Sequence, residues 1–278
     1  MNRIIILIIL LSFKVQAQVN LNFDKRFVEC EDEWVAFQMN KDSSYNYGFI
    51  YIDTQAGLTL NSEGTFKTKQ DGSFEIKKIS ETNIKVRLEP NNVKVAIIPE
   101  NLYKNLQIEE IPEWLKFYKA DLNTAKRQFK WGYMYNGWNE CAKALPFLLK
   151  AKELDPEFEG LAVELAFSFN CLKNYDKAIE VLEDEIKRNP SDAYVNKEYI
   201  YSVTKTDNIE KATKQFYNSI KTIKENTYNA ENCFNIMQFY YKQNDKKNFI
   251  KWYDEIKKWP NDNKQINKYT ELMKEELK

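Results

Sequence analysis

Any catalytic chemistry here would have to use carboxylates, thiols, hydroxyls and amines, because the 278-residue chain contains no histidine. That removes Ser-His-Asp and Cys-His nucleophilic catalysis. It also removes His-ligated zinc and haem. Glycine occurs only 7 times, never after Gly160. The spaced glycines of a dinucleotide fingerprint or phosphate-binding loop are therefore missing. Carboxylates are plentiful at Glu29, Glu31, Asp32, Glu33 and at Glu109-Glu110. A glycosidase needs two of them across one cleft, which contiguous runs do not suggest; such runs read as solvated faces. The cysteines are Cys30, Cys141, Cys171 and Cys233, with no Cys-x-x-Cys. Structural zinc and dithiol redox chemistry are disfavoured accordingly, and no metal or cofactor is expected. Lys246-Lys247 and Lys257-Lys258 stand near aromatics but also near Asp245, Asp254 and Glu255. With 41 basic and 41 acidic residues overall, no nucleic-acid footprint emerges. What remains is an aromatic content of 14%, which suits binding better than catalysis.

Met1-Asn2-Arg3 is a short basic start, followed by an apolar run from Ile4 to Phe13 and then Val15-Gln16-Ala17. This reads as a signal peptide over 1–17, cut before Gln18. A membrane anchor is the other reading, but ten helical residues rise only about 15 Å, half a hydrocarbon core. Lys14 is unusual for a cleavage region. No Cys stands near the cut, so a lipobox is absent. The expectation is an exported chain, periplasmic or secreted, with no stable membrane insertion. Removing Arg3 and Lys14 leaves an excess of two acidic residues.

Residues 18–100 read as a small β-sheet or sandwich domain. Trp34–Met39 and Tyr47–Ile52 are rich in aromatic and branched residues. Asp71-Gly72 is a two-residue turn signal. Ile84–Leu88 and Val93–Ile97 alternate apolar and charged residues, predicting strands with the apolar side inward. Residues 101–124 read as a helical connector, with Pro112 as a first helical residue.

Beyond it, a period of 34 governs the sequence. Ala144, Ala178 and Ala212 keep that spacing, as do Leu148, Leu182 and Phe216. Tyr135, Phe169 and Val203 keep it too, and so do Pro156 and Pro190. A fixed period of 34 with helical patterning marks stacked helix pairs. The units are 125–158, 159–192, 193–226 and a degenerate 230–263, where Phe249 replaces the small residue. Residues 261–278 read as a capping helix with an apolar stripe of Ile266, Tyr269, Leu272, Met273 and Leu277.

On these residues the chain resembles the tetratricopeptide repeat (TPR) family, as an exported bacterial member. The fold expected is α+β by segments: a small N-terminal β-sheet or sandwich domain, then an α-helical TPR solenoid with a C-terminal capping helix. The resemblance implies a non-catalytic scaffold that binds a protein or peptide segment in a concave groove lined by the first helix of each unit. The groove positions are Phe129, Tyr133, Asn136, Phe167, Asn170, Tyr194, Lys197, Tyr201, Phe234 and Tyr241. The aromatics supply contact area and the Asn amides can hold a peptide backbone. Some of these aromatics are expected in the core. The family's clamp for C-terminal carboxylates is not present: the corresponding positions hold Phe129, Tyr133, Glu164, Tyr194 and Glu198. Cys141 and Cys171 fall where antiparallel helices of adjoining units meet, so a disulfide between them is one arrangement and two buried thiols the other. A pair would contribute about 3–4 kcal/mol. The alternative function is a glycan or cell-envelope polymer binder, with Trp34, Tyr45, Tyr47 and Tyr51 of the β region stacking on sugars.

Overall fold

The computed structural model describes residues 20–79, 84–120 and 123–277. The expected signal peptide lies outside these. The chain divides into two compact units, Met1–Ala120 and Asp121–Lys278.

The first unit is built on an antiparallel sheet. Its strands are β1 (Glu33–Ala36), β2 (Tyr45–Asp53), β3 (Gly57–Thr68), β4 (Phe74–Lys78), β5 (Ile84–Arg87) and β6 (Ala96–Ile97). They run in the order β4-β3-β2-β1-β6, and β5 pairs with β3 as well. The long β3 allows this: Gly64–Thr68 pairs with β4 and Thr59–Ser62 with β5. A bulge falls between Tyr47 and Gly48. A side chain at Gly48 would put its Cβ 2.4 Å from the Asn61 carbonyl oxygen, so glycine is required there.

One face of the sheet carries the aromatic core. Trp34, Tyr47, Phe49, Tyr51 and Phe66 are buried there with Ile98, Leu106 and Leu115. The alternation of β2 puts Tyr47, Phe49 and Tyr51 on this face. The other face buries Val35, Ile50, Ile52 and Leu58.

Residues 101–120 differ from the expected connector. The short helix α1 (Tyr103–Leu106) and a 3-10 turn at Glu113–Phe117 belong to the sheet unit. Trp114 sits edge-on to Phe49 at 5.7 Å and to Tyr51 at 4.9 Å, and Tyr118 lies 4.6 Å from Tyr51. Trp34 Nε1 donates to the Glu109 carbonyl at 2.7 Å. The uncovered aromatic face of the sheet captures this segment, a tertiary effect that local pattern does not carry. Pro112 accordingly precedes a 3-10 turn instead of opening a helix.

Three strand expectations are also corrected. Ile84 and Val86 are exposed, because β5 hangs at the sheet margin. The Val93–Ile97 strand shrinks to β6 and an isolated Lys25–Val95 bridge. At Asp71-Gly72 only Gly72 takes positive φ, and its N–H bonds the Lys69 carbonyl. The turn therefore precedes a left-handed glycine and is not the two-residue mirror-image type.

The second unit is helical: α2 (Ala125–Gly137), α3 (Cys141–Leu154), α4 (Leu161–Cys171), α5 (Tyr175–Arg188), α6 (Ala193–Thr204), α7 (Ile209–Thr222), α8 (Asn229–Lys242), α9 (Lys246–Ile256) and α10 (Lys264–Glu276). Each even-numbered helix from α2 to α8 pairs with the next across a three- or four-residue turn. Asn139, Lys173 and Asn244 take left-handed φ in three of these turns. The even-numbered helices also pack on one another in series, α2 on α4, α4 on α6 and α6 on α8. Side-chain caps start several helices: Thr124 for α2, Asp192 for α6, Asn208 for α7 and Asp245 for α9. Ala144, Ala178 and Ala212 are fully buried, with Leu148, Leu182 and Phe216 beside them in the same register. Small residues at these points let helices approach, and the large ones fill the remaining space.

The α10 stripe splits. Thr270 and Met273 are buried while Tyr269 and Leu272 are exposed. At about 100° per residue, Ile266, Thr270, Met273 and Leu277 share one face, and Tyr269 and Leu272 fall off its edge.

Candidate functional site

The first helices of the repeats, α2, α4, α6 and α8, present equivalent positions at intervals of 34 residues. Tyr133, Phe167 and Tyr201 occupy one such position on successive helices. Tyr133 is 57% exposed, and Phe167 and Tyr201 are half-buried. Phe129, Phe234 and Tyr241 are half-buried too. Phe129 stacks on Tyr133 and touches Phe158, at centroid distances of 6.1 and 5.0 Å. Tyr194 is 36% exposed and lies 5.7 Å from Tyr228. Tyr241 bonds Glu276 of α10 through its hydroxyl. The aromatic residues expected in the groove thus keep open surface on one set of helices.

The two asparagines behave otherwise. Asn136 and Asn170 are buried, and their amides are spent within the protein. Asn136 Nδ2 donates to the Glu164 carbonyl at 2.9 Å and to Glu164 Oε2 at 2.8 Å. Its Oδ1 accepts from Ser168 Oγ at 2.7 Å. One repeat later, Asn170 Oδ1 accepts from Ser202 Oγ at 3.0 Å, and its Nδ2 faces Glu198 Oε2 at 3.4 Å. This ladder fastens α2 to α4 and α4 to α6. It corrects the assignment of Asn136 and Asn170 as peptide-backbone holders: both side chains are buried against the next first helix, and the Asn136 amide has no donor left for a ligand. The pairs Glu164–Glu198 and Ser168–Ser202 keep the same 34-residue spacing as Asn136–Asn170, the sequence signal from which the ladder was readable.

Charge concentrates where Tyr194 lies. Lys197 has only 14% of its side chain exposed, with Nζ 2.7 Å from Glu198 Oε1 and 3.7 Å from Glu231 Oε1. Burial would lower its pKa, but Glu198 and Glu231 outweigh that and raise it. The Glu164 carboxyl is pushed above its ordinary range, chiefly by burial; the Asn136 bond opposes this and the Glu198 charge adds to it. Lys205, over the Tyr201 ring at 4.4 Å, is held below its ordinary value by burial and by Lys242.

Cys141 and Cys171 form a disulfide, with Cα atoms 6.2 Å apart, joining the start of α3 to the end of α4. Cys30 and Cys233 are buried and lie outside any disulfide. Among the described residues no group of His, Cys, Asp or Glu is arranged to hold a metal ion, and no helix is long and apolar enough to cross a membrane.

Of the four aromatics considered for sugar stacking, Trp34, Tyr47 and Tyr51 are buried in the sheet core. Tyr45 stacks on Phe66 at 5.2 Å. A ring inside the core offers no face to a glycan, so Trp34, Tyr47 and Tyr51 do not stack on sugars.

Antiparallel helix pairs repeat every 34 residues, with their first helices stacked in series. The helical unit has a TPR-like fold. No known family profile matches the chain, and no curated protein matches it. Solved structures similar in fold include YrrB, described as a TPR protein with an unusual peptide-binding site: 15% identity over 56% of this chain and 78% of that one, TM-score 0.46. MamA of MSR-1 is similar at 15% identity over 51% of this chain and 80% of that one, TM-score 0.44. A tetratricopeptide repeat protein from Parabacteroides merdae ATCC 43184 is similar at 13% identity over 62% of each chain, TM-score 0.43.

Proposed function

We propose that this chain is an exported, non-catalytic scaffold that binds a protein or peptide segment along the first helices of its TPR-like unit. One observation carries the reading: Tyr133, Phe167 and Tyr201 recur at the same helical position on three successive helices and keep exposed surface. Rigid aromatic faces in a row give contact area at low entropic cost, the pattern of a binding surface. The opening hydrophobic segment, read as a signal peptide, supports a periplasmic or secreted location. The partner is a polypeptide, with no nucleic acid and no stable membrane insertion.

The test is panning of a random peptide display library on the full chain, followed by titration of enriched peptides. The Tyr133→Ala/Phe167→Ala/Tyr201→Ala variant should weaken them at least tenfold while keeping its helical circular dichroism. Equal binding by wild type and variant would place recognition elsewhere and refute the assignment.

A further inference from the structure

The two sulfurs of the Cys141–Cys171 bridge are placed differently. Cys141, the first residue of α3, is 2% exposed, whereas Cys171, the last residue of α4, lies at the surface. Leu172, Lys173 and Asn174, which carry the chain from α4 into α5, are exposed as well. The Cys171 end of the bridge therefore faces solvent, and the Cys141 end faces the interior.

Disulfide exchange begins with attack of a thiolate on one sulfur, and it is faster the lower the pKa of the thiol that leaves. Access favours attack at Cys171, which makes Cys141 the leaving group. Cys141 opens a helix of 14 residues. There the unpaired N–H groups and the positive end of the macrodipole favour a thiolate. Attack in the opposite sense would require a reagent to reach the buried sulfur. It would also expel a thiolate at the C-terminus of α4, where the dipole has the wrong sign. Access and leaving-group chemistry thus select the same sulfur. Asn139 Oδ1, 3.6 Å from Cys171 Sγ, is an acceptor for the thiol that full reduction leaves there. The other two cysteines do not compete. Cys30 and Cys233 are both buried at 0% exposure, and burial pushes the Cys233 thiol up. Neither is placed to supply a thiolate that would reshuffle the bridge.

We propose that Cys171 is a site of reversible S-thiolation by low-molecular-weight thiols. The incoming thiolate sulfur bonds to Cys171 Sγ, the Cys141–Cys171 bond breaks, and its electron pair leaves on Cys141 Sγ as a thiolate. No net oxidation or reduction takes place: one thiolate and one disulfide give one mixed disulfide and one thiolate. Since α3 and α4 pack against each other, Cys141 stays close enough to attack the mixed disulfide, expel the small thiol and remake the bridge. The modification exchanges a covalent tie between adjoining repeats for an adduct at the α4–α5 turn.

The probe is reduced glutathione, added in excess to the native full chain. Early samples are trapped with N-ethylmaleimide, and their peptides are mapped by mass spectrometry without reduction. The expected product carries glutathione on Cys171 and maleimide on Cys141, exceeding the converse adduct by at least about tenfold. Its rate of formation should rise in proportion to glutathione and stay unchanged in urea below the unfolding transition. Removing the glutathione should restore the bridge. Glutathione found on Cys141, or on both sulfurs alike, would overturn the inference. So would a rate that ignores glutathione concentration and climbs with urea, because the bridge would then open only through unfolding. A native protein that forms no adduct would overturn it as well.

Discussion

Replacing Gly132 by alanine should destabilise the helical unit even though alanine is the better helix former. Gly132 lies in the middle of α2, against α3. A methyl group there would sit 2.3 Å from Leu148 Cγ and 2.5 Å from its Cδ2. Leu148 is completely buried, with buried Ala144 and Ala151 on the same helix, so it has little room to retreat. Overpacking costs about 1–3 kcal/mol, and a clash this short belongs at the upper end. The helix-propensity gain from glycine to alanine is about 1 kcal/mol. The difference leaves a net loss of about 2 kcal/mol. Gly137 provides the control: it ends the same helix, and an added Cβ meets nothing within 4 Å. Gly137→Ala should be neutral or slightly stabilising. Urea unfolding followed by far-ultraviolet circular dichroism measures both. The decisive step is a double-mutant cycle with Leu148→Ala, which alone should cost about 2–5 kcal/mol. In the double variant the methyl enters vacated space, so the combined loss should fall below the sum of the single losses. A Gly132→Ala variant as stable as wild type, or strictly additive losses, would refute the packing argument.

Two other outcomes follow from the helical unit. The Cys141–Cys171 bridge spans a sequence separation of 30; opening it by reductant or by Cys141→Ala/Cys171→Ala should cost about 3.6 kcal/mol in the chain-entropy model. An unchanged urea midpoint on adding reductant would show that the bridge contributes nothing. Glu164 provides a pH signature: its pKa in the folded chain is raised above the ordinary 4.5, mainly by burial. The folded state thus binds its proton more tightly than the unfolded one, so stability from this group falls as pH rises through 4.5 and above. Glu164→Gln should be more stable than wild type at pH 7 and lose that advantage at pH 4; a pH-independent difference would contradict the burial of the carboxyl.

Much of the helical unit was legible because its spacing is a local property. Ala144, Ala178 and Ala212 mark helix contacts that recur with the chain, and α3 and α5 each end two residues before the prolines Pro156 and Pro190. The aromatic positions were legible for the same reason. The roles of Asn136 and Asn170 were not. An asparagine on a helix face reads alike whether its amide meets a ligand or a neighbouring serine, and only the stacking of α2 on α4 and of α4 on α6 decides between them. Tyr228 was missed as the partner of Tyr194, although the two stand 34 residues apart.

By itself the sequence determined the absence of histidine chemistry, the repeat period and the helices it predicts, since these depend on residue type and on spacing along one chain. Tertiary structure alone decided which polar groups are spent on the ladder and how Trp114 and Tyr118 come to complete the sheet core. Those outcomes depend on which surfaces are brought face to face. An amide, a carboxylate or an aromatic ring acquires its role from what lies opposite it.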